Sequence, residues 1–110
     1  MKTKSFYVLG RVQAVMFRRT FCLGARKRGF KAGATNDKKN RSRVICTIIG
    51  DREDIERFLL ELQSMEELNS WGANVERIEE LEQSHKLEAH DVTTESVDNR
   101  PWNNEVEFYL

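Results

Sequence analysis

Nine consecutive residues decide how this chain folds, because they join its first apolar strand to its first helix. They read Gly10-Arg11-Val12-Gln13-Ala14-Val15-Met16-Phe17-Arg18. Residues 6–9 before them are apolar, and residues 19–28 after them follow a helical pattern. A strand that turns through a loop into a helix leaves unpartnered backbone N–H groups at the helix start, where the helix dipole adds partial positive charge. An arginine beside them makes such a corner suited to a phosphate or a carboxylate.

The pattern around this loop predicts the first elements of the fold. Residues 5–10 alternate in the manner of a strand. Residues 18–28 predict a helix whose inward stripe is Phe21, Cys22 and Ala25. Gly29 then stands where a glycine commonly follows the last helical turn.

The middle of the chain predicts two further strands and a second helix. Residues 30–36 and 44–49 are expected to be strands, joined by a basic turn over residues 37–43. Asp51 is the expected N-cap of a helix that extends to about residue 65. Its apolar residues recur at helical spacing: Ile55, Phe58, Leu59, Leu62 and Met65.

The last third of the chain is less regular. Val75, Ile78 and Leu81 lie at helix-like spacing, but residues 74–82 also alternate acceptably for a strand. Residues 83–104 are polar and irregular. Residues 105–110 are expected to form a terminal strand with every second side chain apolar.

The predicted order of elements is strand, helix, strand, strand, helix, strand, with an added C-terminal strand. This βαββαβ order indicates an α+β, ferredoxin-like sandwich with an antiparallel sheet and two helices on one face. At 110 residues we expect a single domain over residues 1–110. The fold itself hosts enzymes, regulators and RNA binders, so function depends on the site.

Composition excludes several classes of protein. No run approaches the roughly 20 apolar residues of a membrane span, and the N-terminal residues lack the pattern of a signal peptide. Cys22 and Cys46 have no metal-type spacing, so we expect two buried thiols in a cytoplasmic protein. His85 and His90 are expected at the surface. No ligand pattern surrounds them, so we expect neither a metal nor a cofactor.

Charge is divided unevenly along the chain. Residues 1–45 hold 13 Lys and Arg and one acid, which gives +12, while residues 46–110 hold 5 and 17, which gives −12. A basic half can bind nucleic acid, but the two halves can also interleave in one sheet and compensate each other. In either case an anion that approaches the loop meets a positive local field.

The nine-residue stretch resembles the signature of the acylphosphatase family, G-x-V-Q-G-V-x-F-R, and the similarity extends over about residues 5–62. Asn36 follows Arg18 by 18 residues, the separation that this family keeps between its phosphate-binding arginine and its catalytic asparagine. Two positions depart from the family. Ala14 stands in place of the second signature glycine, and Ala32-Gly33 stands where the family usually has Gly-Trp.

The resemblance implies hydrolysis of the mixed anhydride of a carboxylic acid and phosphate, independent of metal. It assigns the phosphate to the Arg18 guanidinium and to the loop N–H groups, and it assigns the orientation of the attacking water to Asn36. The phosphate-binding residues implied are Gln13, Ala14, Val15, Met16, Phe17 and Arg18. The partner implied is a small anionic acyl phosphate, with no membrane and no nucleic acid, and we expect a monomer.

Two other function classes stay open from the sequence. One is an anion-binding module of the same fold with little turnover, which the altered positions Ala14 and Ala32-Gly33 favour. The other is a ferredoxin-like RNA-binding protein, which the basic half favours. Against RNA binding, residues 44–49 lack the aromatic side chains on which such domains stack bases.

Overall fold

The secondary structure has the predicted order. The computed structural model describes all residues 1–110. Its main elements are β1 (Lys2–Arg11), α1 (Phe17–Lys27), β2 (Lys31–Asn36), β3 (Arg43–Gly50), α2 (Arg52–Ser64), β4 (Asn74–Glu80) and β5 (Val92–Thr93). Two single 3₁₀ turns, Leu87–Ala89 and Val97–Asn99, flank β5. The ambiguous stretch after residue 74 is therefore a strand.

The five strands form one antiparallel sheet in the order β4-β1-β3-β2-β5. Phe6, Cys46 and Ala34 are neighbours across β1, β3 and β2, so their side chains share a face. All three belong to the core that the helices cover. The expected ferredoxin-like α+β fold is confirmed.

Aromatic side chains from both helices fill the centre of this core. The Phe17 and Phe21 rings of α1 are stacked with centroids 5.8 Å apart. Phe58 of α2 lies 5.8 Å from Phe21 and 5.5 Å from Phe30. The predicted N-cap is also confirmed, because the Asp51 carboxylate accepts hydrogen bonds from two backbone N–H groups of the first turn of α2.

A glycine lies where the pairing of β1 with β4 becomes irregular. The pairing of β1 with β4 shifts register between Leu9 and Gly10. Gly10 has φ 143°, and a Cβ there would lie 2.4 Å from the Asn74 carbonyl oxygen. Only glycine fits so close to the neighbouring backbone. The signature stretch therefore begins at an irregularity of the β1–β4 pairing that requires a glycine.

The C-terminal strand of the sheet lies earlier in the chain than residues 105–110. It is β5, which pairs with Gly33 and Ala34 of β2. Residues 105–110 form no strand and make one isolated bridge, between Phe108 and Asn69. They are fastened to the loop before β4 instead, where Ser70 N–H donates to the Glu107 carbonyl at 2.9 Å. Alternation of apolar residues fits any extended segment that packs one side on a core, so it could not distinguish the two.

A polar cluster covers the middle of the other sheet face, and it corrects the expectation for His90. We call it the His90 cluster; its members are Ser5, Thr35, Thr47, His85 and His90. His90 is only 7 % exposed. Its Nε2 lies 2.7 Å from the Thr47 hydroxyl and its Nδ1 2.9 Å from the Thr35 hydroxyl. The prediction of a surface histidine was wrong because both ring nitrogens find partners inside the protein.

Both cysteines are free and buried, as expected. No helix of the structure combines the length and the apolar character needed to cross a membrane.

Candidate functional site

The loop between β1 and α1 has an unusual backbone conformation. We call residues 12–16 the signature loop. Ala14 has φ 63° and Met16 has φ 61°, the only positive φ values outside glycine in the chain. Side chains disfavour this left-handed region. Ala14 therefore adopts a backbone conformation for which a glycine is better suited.

The side chain of Gln13 fastens the signature loop to the turn between β2 and β3. Its Nε2 lies 2.9 Å from the carbonyl oxygen of Asp37, 3.1 Å from that of Asn40 and 2.8 Å from that of Arg43. The amide thus serves the backbone of the turn that follows Asn36. Any contact of Gln13 with a phosphate must come from its backbone N–H.

A fully buried asparagine, Asn69, holds the loop from behind. Its Nδ2 donates to the Val15 carbonyl at 2.9 Å and to the Thr20 hydroxyl at 2.7 Å. Thr20 in turn donates to the Met16 carbonyl at 2.7 Å. The carbonyl groups of Val15 and Met16 are therefore used internally, and Asn69 and Thr20 fasten this end of the loop to the protein.

The backbone N–H groups of residues 13–18 differ from the Val15 and Met16 carbonyl groups, which have partners within the protein. None of these N–H groups donates a hydrogen bond to an acceptor in the protein. Such groups at the start of a helix need an acceptor from elsewhere, and an anion satisfies several at once.

Arg18 lies in the first turn of α1, and its side chain is 21 % exposed. Its nearest acid is Asp91, with Nη1 and Oδ2 3.8 Å apart, and its guanidinium forms no hydrogen bond. By contrast, Arg26 and Arg43 hold carboxylates at 2.7 and 2.6 Å. Burial lowers the pKa of Arg18, and Arg100 lowers it further, while Asp91 opposes both. Arg18 is thus a charged fork without a tight partner.

Asn36 ends β2 on the helix-covered face, across the sheet from Val44. Its side-chain oxygen is buried and has no hydrogen-bond partner, the one such side-chain atom in the structure. An acceptor left in this state costs about 1–3 kcal/mol of stability. Buried acceptors without a partner are uncommon in native proteins, so Asn36 is a candidate for a role outside folding.

Arg18 and Asn36 line two hollows that meet between them. The first, of about 160 Å³, is mostly apolar; its lining residues are Val12, Ala14, Met16, Phe17, Arg18, Asn36, Trp71 and Trp102. The second, of about 490 Å³, is polar; its lining residues are Gln13, Ala14, Arg18, Asn36 and Arg41. The sequence-predicted residues therefore come together, except that Val15 is buried in the core behind the loop.

Sequence reasoning missed three residues of this region. Trp71 and Trp102 form part of the apolar hollow, and Asp91 is the counter-charge of Arg18. All three lie in irregular segments, so no periodicity marked them. The only signal was compositional and concerned two of the three: Trp71 and Trp102 are the two tryptophans of the chain, and both lie outside predicted elements.

Residues 81–110, which follow β4, are called the C-terminal segment. This segment explains why Ala32-Gly33 stands where the sequence resemblance would have Gly-Trp. A Cβ on Gly33 would lie 2.9 Å from the Cβ, Cγ and Cδ2 atoms of His90. The imidazole therefore occupies the space into which a side chain at position 33 would project. Thr35 fixes the ring and also accepts the Asp91 N–H at 3.0 Å. Residues 90–93 thus pack along β2 and bring Asp91 near Arg18.

The two thiols take no part in this site. Burial raises the pKa of Cys22 to about 12 and that of Cys46 well above its ordinary value. A thiol of this kind is protonated at neutral pH and a poor nucleophile. No group of three or more His, Cys, Asp or Glu side chains is arranged to hold a metal ion.

Comparison with known proteins identifies the family of the chain. The sequence model described as Acylphosphatase matches residues 4–94 of the chain. A search of curated proteins found no match. The family match covers most of the chain, so the chain belongs to the acylphosphatase family.

Proposed function

We propose that this member of the acylphosphatase family hydrolyses the carboxyl–phosphate anhydride of small acyl phosphates to a carboxylate and inorganic phosphate. One observation carries the proposal. Arg18 and Asn36 line the same hollows, and neither the Arg18 guanidinium nor the Asn36 side-chain oxygen has a hydrogen-bond partner in the protein. Residues whose polar atoms are satisfied support a fold, whereas convergent unsatisfied ones support binding.

The phosphate group is assigned to the Arg18 guanidinium and to the backbone N–H groups of residues 13–18. The guanidinium presents paired N–H groups that match two phosphate oxygens, and the loop N–H groups add dipoles of the same sign. Support comes from the lack of internal acceptors for these donors. The exposed lysines and arginine of the turn after Asn36 add to the positive field.

Asn36 is assigned to the attacking water. A water oxygen bonds to phosphorus while the bond from phosphorus to the acyl oxygen breaks and leaves its electron pair on the carboxylate. The proton of the water passes to a phosphate oxygen or to solvent. An acyl carboxylate leaves readily, so positioning and charge neutralisation supply most of the catalysis. The Asn36 carboxamide lines both hollows and is assigned to hydrogen-bond that water and orient it.

An RNA-binding role has less support. Domains of this fold that bind RNA stack bases on the open face of the sheet. Here the His90 cluster covers the middle of that face, and β3 contains no aromatic residue.

The test is hydrolysis of acetyl phosphate by the purified chain, with inorganic phosphate as a competitive inhibitor. Arg18→Lys keeps the charge and removes the fork. We expect it to weaken phosphate inhibition about tenfold or more and to lower kcat/KM, because charge-assisted hydrogen bonds are worth about 1.5–3 kcal/mol each. Arg26→Lys makes the same change two turns along α1, outside both hollows, and should behave as the parent.

Three outcomes separate the possibilities. Hydrolysis that depends on Arg18 supports the enzyme. Phosphate binding without hydrolysis of any acyl phosphate would establish the anion-binding module instead. Hydrolysis that Arg18→Lys leaves unchanged would remove Arg18 from the mechanism.

A further inference from the structure

We infer that Trp102, from the C-terminal segment, together with Trp71 selects the acyl half of the substrate and favours a flat, apolar acyl group over a small or charged one. The inference rests on the proposed function, because it concerns the acyl group of the substrate whose phosphate group was assigned above. It adds a specificity residue that lies beyond the family match, which ends at residue 94.

The two hollows differ in a way that mirrors the two halves of an acyl phosphate. Both include Arg18 and Asn36, but the polar one continues toward Arg41 and the apolar one toward the tryptophans. An anion belongs near the arginines. The acyl group, joined to phosphorus through one oxygen, then extends into the hollow lined by carbon atoms.

The apolar hollow has room for one ring. Its volume is about 160 Å³, and an apolar cavity of about 150 Å³ accommodates benzene. An acetyl group would leave most of this space unfilled and forgo the contacts that a ring makes with the indoles.

Trp102 is held in place from several sides. Its Nε1–H donates to the Val97 carbonyl. The guanidinium groups of Arg19 and Arg100 lie 5.8 and 5.2 Å from its ring centroid. Arg19 also donates to the Asn103 carbonyl at 3.1 Å, which fixes the backbone next to Trp102. A wall fixed in advance contributes to selectivity because little side-chain freedom is lost on binding.

Trp71 is fixed in the same manner. Its Nε1–H donates to the Glu105 carbonyl at 2.8 Å, and its backbone N–H donates to the Asn69 side chain at 3.0 Å. Indole has a single polar hydrogen. Because backbone carbonyls use it in both tryptophans, the surfaces left for a ligand are apolar, and a polar acyl group gains no hydrogen bond from them.

The experiment compares benzoyl phosphate with acetyl phosphate, which share the anhydride and differ only in the acyl group. We expect the parent to have the higher kcat/KM for benzoyl phosphate. Trp102→Ala should reduce the ratio of the two kcat/KM values about tenfold, because the loss falls mainly on benzoyl phosphate, whose ring contacts the indole. Phe108→Ala is the matched control. The Phe108 ring lies in the same segment as Trp102 and also contacts Arg19, so the substitution loosens that segment, but Phe108 does not line the hollow.

The possible outcomes separate the acyl assignment of the tryptophans from the proposed hydrolase function on which it rests. If the parent hydrolyses both substrates with equal efficiency, or if Trp102→Ala lowers both equally, the acyl assignment is wrong while the proposed function stands. If the parent hydrolyses neither, the proposed function itself fails. Thermal melting identifies a Trp102→Ala variant that does not fold. In that case Trp71→Ala answers the same question from the other tryptophan, with the same expected loss of preference.

Discussion

Thr35 and Asn36 are adjacent in β2 and face opposite sides of the sheet, and their polar atoms have opposite fates. The Thr35 hydroxyl lies 2.9 Å from His90 Nδ1 and accepts the Asp91 N–H. The Asn36 oxygen is buried with no partner. One face thus carries a closed polar network, and the other carries a buried acceptor that the chain leaves without a partner.

This comparison shows that a perturbed pKa does not by itself mark a functional site. Burial, and secondarily His85, lowers the pKa of His90 to about 4, whereas the Asn36 side chain does not titrate. Yet every polar atom of the His90 ring is satisfied. Thr47 donates its proton to the His85 carbonyl, so the network assigns the ring proton to Nε2 and an acceptor role to Nδ1. Hydrogen-bond satisfaction therefore separates the two faces better than titration does.

The largest effect should come from Asn36→Ala. We expect kcat for acetyl phosphate to fall by about 10²–10³, the scale for loss of one positioned polar group, with phosphate inhibition nearly unchanged. Stability should not fall, because the variant removes an unpartnered buried acceptor. Steady-state kinetics and chemical denaturation of the same preparation measure both.

Thr35→Val is the counterpart of Asn36→Ala on the opposite face of the sheet. It should cost about 1–3 kcal/mol of unfolding free energy, because it leaves His90 Nδ1 and the Asp91 N–H without partners, and it should keep kcat within a few-fold. If Asn36→Ala retained full turnover, the asparagine would be only a turn former and the contrast between the faces would be lost.

The next largest effect should be a loss of stability at acid pH, and it should come from His90. The folded-state pKa of His90, about 4, lies below the ordinary value near 6.5. Below pH 6.5 the unfolded chain therefore binds a proton that the folded chain does not. Stability is fully present above pH 6.5 and falls by up to about 3 kcal/mol as the pH drops to 4.

Urea denaturation between pH 7.5 and 4 measures this loss. His90→Gln should flatten the profile in that window, whereas His85→Gln should leave most of the drop, because burial is the main cause of the shift. Hydrogen bonds lower the pKa values of Asp37 and Asp98, so their contribution is lost below pH 3.8, outside the window. An unchanged slope in His90→Gln would contradict the assignment.

A smaller effect concerns strain, which is confined to the signature loop. Ala14→Gly removes the steric cost of φ 63°, about 1–2 kcal/mol, and adds freedom to the unfolded chain, so a net gain of about 0.5–1 kcal/mol is expected. Ala89→Gly, at an exposed residue outside the positive-φ region, should destabilise instead. Melting temperatures of the pair check the sign, and destabilisation by Ala14→Gly would contradict it.

The smallest effect belongs to the basic turn beside Asn36. Lys38, Lys39 and Arg41 are exposed, and we expect them to attract the substrate rather than to hold it. Replacing all three by Gln should lower kcat/KM a few-fold at low salt and hardly at all at high salt, since exposed charges are screened beyond about 10 Å at 0.1 M. A loss that persists in high salt would indicate direct contact, most simply through Arg41, which lines the polar hollow.

Sequence predicted the parts of the molecule that local patterns determine. Helical spacing and capping located α1 and α2, alternation located β1, a run of apolar residues located β3, and the signature together with Asn36 predicted one side of the candidate site. His90, Asp91 and Trp102 escaped because each acts on residues more than 50 positions away from within an irregular segment. For such a segment, the packing partner rather than its own pattern determines the path. Residues 105–110 show the same limit. Their apolar residues do alternate, but the segment is bound to the loop before β4 and not to the edge of the sheet.

The strand order has a consequence for how the molecule opens. β1 is paired on both sides, with β3 and β4, whereas β5 holds the sheet through two residues at its edge. Amide protons in the middle of β1 should therefore exchange with deuterium only when the whole chain unfolds, while those of residues 92–93 exchange through local detachment. A single exchange experiment thus reads two separate equilibria, and the faster one reports how firmly the segment that carries Asp91 and Trp102 stays docked against the site.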